Sequence, residues 1–284
     1  MSRLRGLGPL TRAGLLQAFR SPTSLFWNLV FPLILLFLYG FIFFRSADGK
    51  VLMMPGLFTI TVMSGAFFGV SYLMVNERES GILRRYRATP VSPTTIVLAN
   101  GIRAVVTMSL AITTQATVGW LVFRYQVDGS LLLTVLVLLI GAAAFVPLGL
   151  FVGSVAQDMR SAPAITNLLF FPLVFGSGAA LPAFMLPGWA QTASRLIPSS
   201  YLVESLSGVM VRGYGLAELA GPIAVLFATM GVGIWANSRM FRWESSEPID
   251  RSSLLVTVAV IATVYVVASL VAPAFGVAHS PPGS

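Results

Sequence analysis

The residues best placed to do chemistry lie between Asn76 and Pro93, N-E-R-E-S-G-I-L-R-R-Y-R-A-T-P-V-S-P, where Glu77 and Glu79, with Arg78 between them, precede Arg84, Arg85 and Arg87. The whole chain is only 10% charged, so this stretch holds an unusual share of its ionic groups. Their order complements a helix dipole, with acids first and guanidinium groups last. Such an array recognises a partner; it does not catalyse. His279 is the sole histidine and stands in a Pro/Gly/Ser tail without a sequence partner, and there is no cysteine. Neither an H-E-x-x-H zinc pattern nor a phosphate loop occurs, since Gly49-Lys50 runs into Val51 and lacks the earlier glycine. Any ATP hydrolysis connected with this protein must belong to another polypeptide.

The local pattern predicts a short helix at 80–88. Thr89-Pro90 and Ser92-Pro93 stop it, because the residue before a proline is forced out of helical geometry. Ile82, Leu83 and Tyr86 fall on one face with arginines beside them, an apolar knob rimmed by cations. That knob suits a groove in a protein, and equally the headgroup layer of a membrane.

The elements that must hold this segment are membrane spans. Of 284 residues, 56% are hydrophobic and mean hydropathy is +0.85, well beyond soluble usage. A hydrocarbon core of about 30 Å needs about 20 apolar residues in a helix. Runs of that length are expected at about 25–44, 54–75, 93–123, 131–156, 162–182, 219–236 and 254–274. Their continuous apolarity excludes the alternating pattern of a β-barrel. Ahead of the first run, Leu10, Leu15, Leu16 and Phe19 lie between Arg3, Arg5, Arg12 and Arg20, the pattern of an interfacial amphipathic helix. Pro147 is expected to kink the fourth span. Arg103 is expected to snorkel from the third.

Arginine placement sets an orientation. With the N-terminus inside, Arg3, Arg5, Arg12, Arg20, Arg78, Arg84, Arg85, Arg87, Arg160, Arg239, Arg242 and Arg251 are cytoplasmic. Only Arg45, Lys50, Arg124, Arg195 and Arg212 face the other side. This is a positive-inside distribution, and its net charge of +8 marks membrane orientation, not nucleic-acid binding. The predicted span cores contain no Asp or Glu; Asp158, Glu204 and Glu218 lie between them. Proton- or ion-coupled transport is therefore poorly served.

Glu77-Arg78-Glu79-Ser80-Gly81-Ile82-Leu83, followed by Arg87-Ala88-Thr89-Pro90-Val91-Ser92, resembles the cytoplasmic signature of ABC-2 type permeases, in particular the daunorubicin-resistance-type exporters of drugs and lipids. Gly176-Ser177-Gly178, Leu186-Pro187-Gly188-Trp189 and Ile197-Pro198-Ser199-Ser200-Tyr201 resemble the same family's segment after its fifth span. The likeness extends over about 10–243, closing on Arg239-Met240-Phe241-Arg242-Trp243.

The resemblance implies an all-α, six-span integral membrane fold with a leading amphipathic helix, and re-entrant helices at 183–205 separated by Pro182, Pro187 and Pro198. It implies that 80–88 is a coupling helix docking on a cytoplasmic ABC ATPase, two copies per complex, which holds the ATP and magnesium. Glu77, Glu79, Gly81, Ile82, Leu83, Arg84, Tyr86, Arg87, Thr89 and Pro90 would serve that coupling. A second permease copy or paralogue would complete the channel in a bacterial inner membrane. On the spans at that interface, Phe67, Phe68, Tyr72, Phe170, Phe171 and Phe175 would form a lateral path for a drug, lipid or lipid-linked substrate. A polysaccharide channel would show more polar wall than Ser64, Ser71, Thr107, Thr113, Thr114 and Gln115 supply. A membrane protein that only recruits a cytoplasmic partner is the other reading. The chain departs from the family pattern in a linker and added span within 244–284, domain 1–243 being the permease proper.

Overall fold

Ser21 and Pro22 start the first long helix: the serine side chain accepts the Ser24 N–H at 3.3 Å, and proline takes the first helical position, where no N–H is needed. The computed structural model describes residues 6–43, 47–89, 91–127, 129–181, 185–242 and 250–271, and among these the regular secondary structure is all helical. Arg3, Arg5, Arg45, Pro90, Pro182, Trp243 and His279 lie outside the described residues, as does most of the linker at 244–250.

The leading helix α1 is Leu7–Arg20, followed by α2, Pro22–Phe43. Helix α3 is continuous from Ala47–Ser64 through a π-helical stretch, Gly65–Val70, into Ser71–Glu79. The short α4, Ile82–Arg87, precedes α5, Pro93–Phe123, and α6, Leu131–Val155. Then come α7, Ala162–Gly176; α8, Gly188–Ser194; α9, Pro198–Met210; α10, Ala220–Met240; and α11, Arg251–Val271. Six of these helices are long and apolar enough to cross a membrane: α2, α3, α5, α6, α10 and α11.

Two expected boundaries change. The second span does not stop at 75; its helix continues to Glu79, so Glu77 and Arg78 occupy a helical turn and not a loop. The expected fifth span, 162–182, is a helix of 15 residues ending at Gly176. At 1.5 Å per residue that is about 22 Å, short of a hydrocarbon core. The chain turns there through Ser177 and Gly178, whose φ of +84° a side chain would resist. The two short helices α8 and α9 follow, and Pro147 sits within an uninterrupted α6.

Helix α3 is the centre of the molecule, with 83% of its apolar window buried, whereas α11 is 11% buried. Its closest neighbour geometry is with α6, where Gly149 and Gly153 stand one turn apart on the contact face. A Cβ at Gly149 would lie 2.1 Å from the Ala66 carbonyl oxygen, and one at Gly153 3.0 Å from that of Ser71. The Ser71 hydroxyl donates across the gap to the Gly149 carbonyl at 2.7 Å. Small residues four apart let two helix backbones touch, which replaces the hydrophobic drive that lipid does not supply. Away from this seam, Thr61 Oγ1 meets Gln115 Oε1 at 2.8 Å, and Gln115 Nε2 donates to the Pro32 carbonyl at 3.2 Å, tying α2, α3 and α5 together.

Gly149→Ala is expected to lower thermal stability in detergent by about 1–3 kcal/mol through overpacking. Gly231→Ala on α10, with open space where its Cβ would go, is expected to gain up to about 1 kcal/mol from helix propensity. Tryptophan-fluorescence melting of the two variants checks the opposite signs.

Candidate functional site

The charged segment divides at Gly81. Helix α3 ends at Glu79, Gly81 takes a left-handed turn at φ +71°, and α4 begins at Ile82, two residues later than the pattern suggested. Beyond α4, the Ser92 side chain accepts the Thr95 N–H at 3.2 Å and starts α5. A rigid helix, a glycine turn, a six-residue helix and a capped second rigid helix thus follow one another.

Glu77 and Arg78 are both buried, at 5% and 3% exposure, and they face different neighbours. Glu77 Oε1 pairs with Arg103 Nη1 of α5 at 3.3 Å. Arg103 is buried instead of snorkelling, because α1 crosses above it: a Cβ at Gly14 would meet its Nη1 at 2.7 Å. Arg78 turns to the C-terminal end of α6, donating from Nη1 to the Gly153 carbonyl at 2.9 Å and from Nη2 to the carbonyls of Ala156 and Gln157. Arg242, just past α10, reaches the same end, with Nη2 2.8 Å from the Ser154 carbonyl and 3.0 Å from that of Ala156. The last carbonyls of a helix have no partners within it and carry its negative dipole end, so two guanidinium groups satisfy both needs.

Glu79 is exposed and accepts the Met159 N–H at 3.1 Å, fastening the loop between α6 and α7. In that loop Asp158 accepts the Ser161 N–H at 2.7 Å, a bond that holds its carboxyl below the usual carboxylate range. Glu77 and Glu79, for which arginines of this loop or of a partner are the expected pairing, are thus tied within this chain to α5 and to the α6–α7 loop.

The apolar face of α4 is turned inward. Leu83 is 1% exposed, and Ile82 and Tyr86 are half-buried where they line a small cavity with Leu10, Gly14 and Glu77. Burial and the Glu77 charge push the Tyr86 phenol up. Ile82 and Tyr86 thus face this chain's own α1 across the cavity, Leu83 is buried, and Arg84, Arg85, Ala88 and Thr89 form the exposed face. Thr89 Oγ1 donates to the Tyr86 carbonyl at 2.7 Å, closing the turn after α4. Pro90 and the Arg87 side chain lie outside what the structure describes.

The aromatic set divides as well. Phe67, Phe68 and Phe170 are buried inside the bundle, with Phe68 stacked on Trp27 at 3.8 Å and edge-on to Phe170 at 4.8 Å. They pack helices together, and Phe67 and Phe68 also each reach the edge of a cavity. Phe171 and Phe175 stack at 6.2 Å on the exposed side of α7, and Tyr72 lines a separate cavity with Phe68. Among the polar residues considered as channel wall, Ser71 and Gln115 are buried ties between helices, while the Ser64, Thr113 and Thr114 hydroxyls return to carbonyls of their own helix.

Arg103, Arg242, Gly14 and the Gly149/Gly153 pair were not recognisable as parts of this site from their own segments. Only the four-residue glycine spacing was visible, and its partner strip on α3 carries no sequence mark. Removing one member of the buried pair, by Glu77→Gln or Arg103→Met, is expected to cost about 3–5 kcal/mol. The double replacement Glu77→Met with Arg103→Met is expected to recover most of it, and a double-mutant cycle of melting in detergent checks the coupling.

Three relatives give this geometry a context. The Escherichia coli (strain K12) "Inner membrane transport permease YhhJ" is 24% identical over 164 residues, 56% of this chain and 42% of its own length. "ABC transporter G family member 20" of Dictyostelium discoideum is 24% identical over 162 residues, 57% of this chain and 22% of that protein. YvfS of Bacillus subtilis (strain 168) is 25% identical over 210 residues, 69% and 82% of the two chains. The chain therefore spans less than half the length of the first two. The family model described as ABC-2 type transporter matches residues 7–211, from the first residue of α1 through the buried Glu77-Arg78 turn to the residue after α9, and with most of its length so matched this chain belongs to the ABC-2 type transporter family.

Proposed function

We propose that this protein is the membrane-spanning subunit of an ATP-driven exporter, with ATP and magnesium held by a separate cytoplasmic ABC ATPase present in two copies. ABC-2 permeases work with an ATP-binding cassette subunit, and transport permeases are among the relatives of this chain. The supporting observation is mechanical: α4 hangs from the Gly81 turn, and the residues before that turn are fixed to α5 through Arg103 and to α6 through Arg78. A push on α4 would reach three membrane helices through buried contacts. The ATPase would meet the exposed basic face, Arg84 and Arg85, with Thr89 beside it, and Ile82, Leu83 and Tyr86 would transmit load inward. A second permease copy or paralogue would complete the path, and the arginine distribution supports a cytoplasmic α4 and N-terminus. Drug-like, lipid or lipid-linked amphipaths suit the apolar bundle better than long glycans do.

Arg84→Glu with Arg85→Glu is expected to reduce co-purification of the ATPase by about tenfold, the equivalent of 1.4 kcal/mol, while the permease remains folded. Leu83→Ala, which removes a buried link and no surface charge, is expected to keep the ATPase bound but lower transport per ATP hydrolysed. Proteoliposome transport with paired ATPase assays reads both. Unchanged binding and transport in both variants would overturn the docking.

A further inference from the structure

A cavity of about 420 Å³ lies between the end of α1, the start of α2 and the last part of α3, with Met159 of the α6–α7 loop at its edge. Its size is within the range of small-molecule sites. The lining is two-sided. Phe68, Leu73 and Met159 supply apolar surface, and Arg20, Thr23 and Asn76 supply a cation, a hydroxyl and an amide. The Trp27–Phe68 stack gives the apolar side a fixed backing, with Asn28 buried close by and held by the Ser24 carbonyl at 2.8 Å.

Arg20 is the lone fully charged residue on this lining, and no carboxylate shares the cavity. Among the described residues it forms no ion pair, unlike Arg103 with Glu77 and Arg212 with Glu204. The cavity also sits at a particular depth. Arg20 immediately precedes a membrane helix, and Asn76 lies one turn from the end of another, so the polar side is at the ends of the spans and the apolar side runs toward their interior. A ligand matching this gradient carries negative charge at one end and hydrocarbon at the other.

We propose that this cavity binds the headgroup of an anionic amphipath, its phosphate or carboxylate at Arg20 and its apolar part along Phe68 and Leu73. The assignment rests on the exporter reading only for its leaflet, the cytoplasmic one, and for the fate of the ligand. The same chemistry belongs to a resident phospholipid and to a transported lipid-like anion.

The test uses the full permease in neutral detergent, titrated with dioleoyl phosphatidylglycerol and dioleoyl phosphatidylcholine and read by native mass spectrometry. The wild type is expected to retain the anionic lipid about tenfold better, a 1.4 kcal/mol preference. Arg20→Gln should erase that preference, and Leu73→Trp should lower retention of both lipids by filling the space. Arg12→Gln, an exposed cation on α1 that does not line the cavity, should change neither. Equal retention of the two lipids by the wild type, or equal loss in Arg20→Gln and Arg12→Gln, would overturn the site. Reconstitution with the ATPase separates the two sources: ATP-dependent movement of phosphatidylglycerol, lost in Arg20→Gln, makes the ligand a substrate, and retention without movement makes it a resident lipid. Arg20-dependent binding in a permease that couples to no ATPase would leave this site standing while removing the exporter reading.

Discussion

Two consecutive buried charges, Glu77 and Arg78, organise this structure. A buried ion is tolerated only when paired and hydrogen-bonded, so each must find a fixed partner. Glu77 finds Arg103 on α5, and Arg78 finds the carbonyl end of α6. Because the two residues adjoin on one helix, meeting both demands fixes the end of α3 against α5 and α6 at once. Helix α1 lies over Arg103 at Gly14, and Arg242 brings the end of α10 to the same carbonyls that Arg78 serves. Most of the bundle thus converges on one turn.

The rest of the packing obeys the same economy of polar groups. In an apolar solvent, helices gain little from burying apolar surface, so contact must come from close backbone approach and from internal hydrogen bonds. Gly149 and Gly153 admit α3, and Ser71 uses that proximity to reach a backbone carbonyl. Thr61 and Gln115 do similar work where α2, α3 and α5 meet. Helix α11 has few such devices, chiefly Tyr265, whose hydroxyl lies 3.4 Å from that of Thr229, and it remains the least buried of the six long helices.

This arrangement bears on function through stiffness. A short helix on a glycine turn can act as a lever only if its anchor does not yield. Here the anchor is a buried ion pair and a doubly capped helix end, and the lever's apolar face rests on the protein. What remains outside is a basic surface and a threonine-closed turn, the face at which the proposed ATPase would dock.

The membrane class, six of the seven expected long apolar helices, the helix start at Ser92-Pro93 and the family likeness at Gly81 were legible in the sequence, because each follows from local composition or from backbone rules acting over a few residues. Which face of α4 points outward was not, since Ile82, Leu83 and Tyr86 fit an external groove as well as an internal one until α1 is known to lie beside them. Nor did the sequence distinguish Phe67 and Phe68 from Phe171 and Phe175; burial separates them, and burial depends on neighbours from other helices. The same holds for Arg78 among its neighbouring arginines. The sequence alone determined that this segment would concentrate charge at the end of the spans, whereas the tertiary structure decided which charges are buried as anchors and which are presented, because only the folded chain shows which of them lose their water.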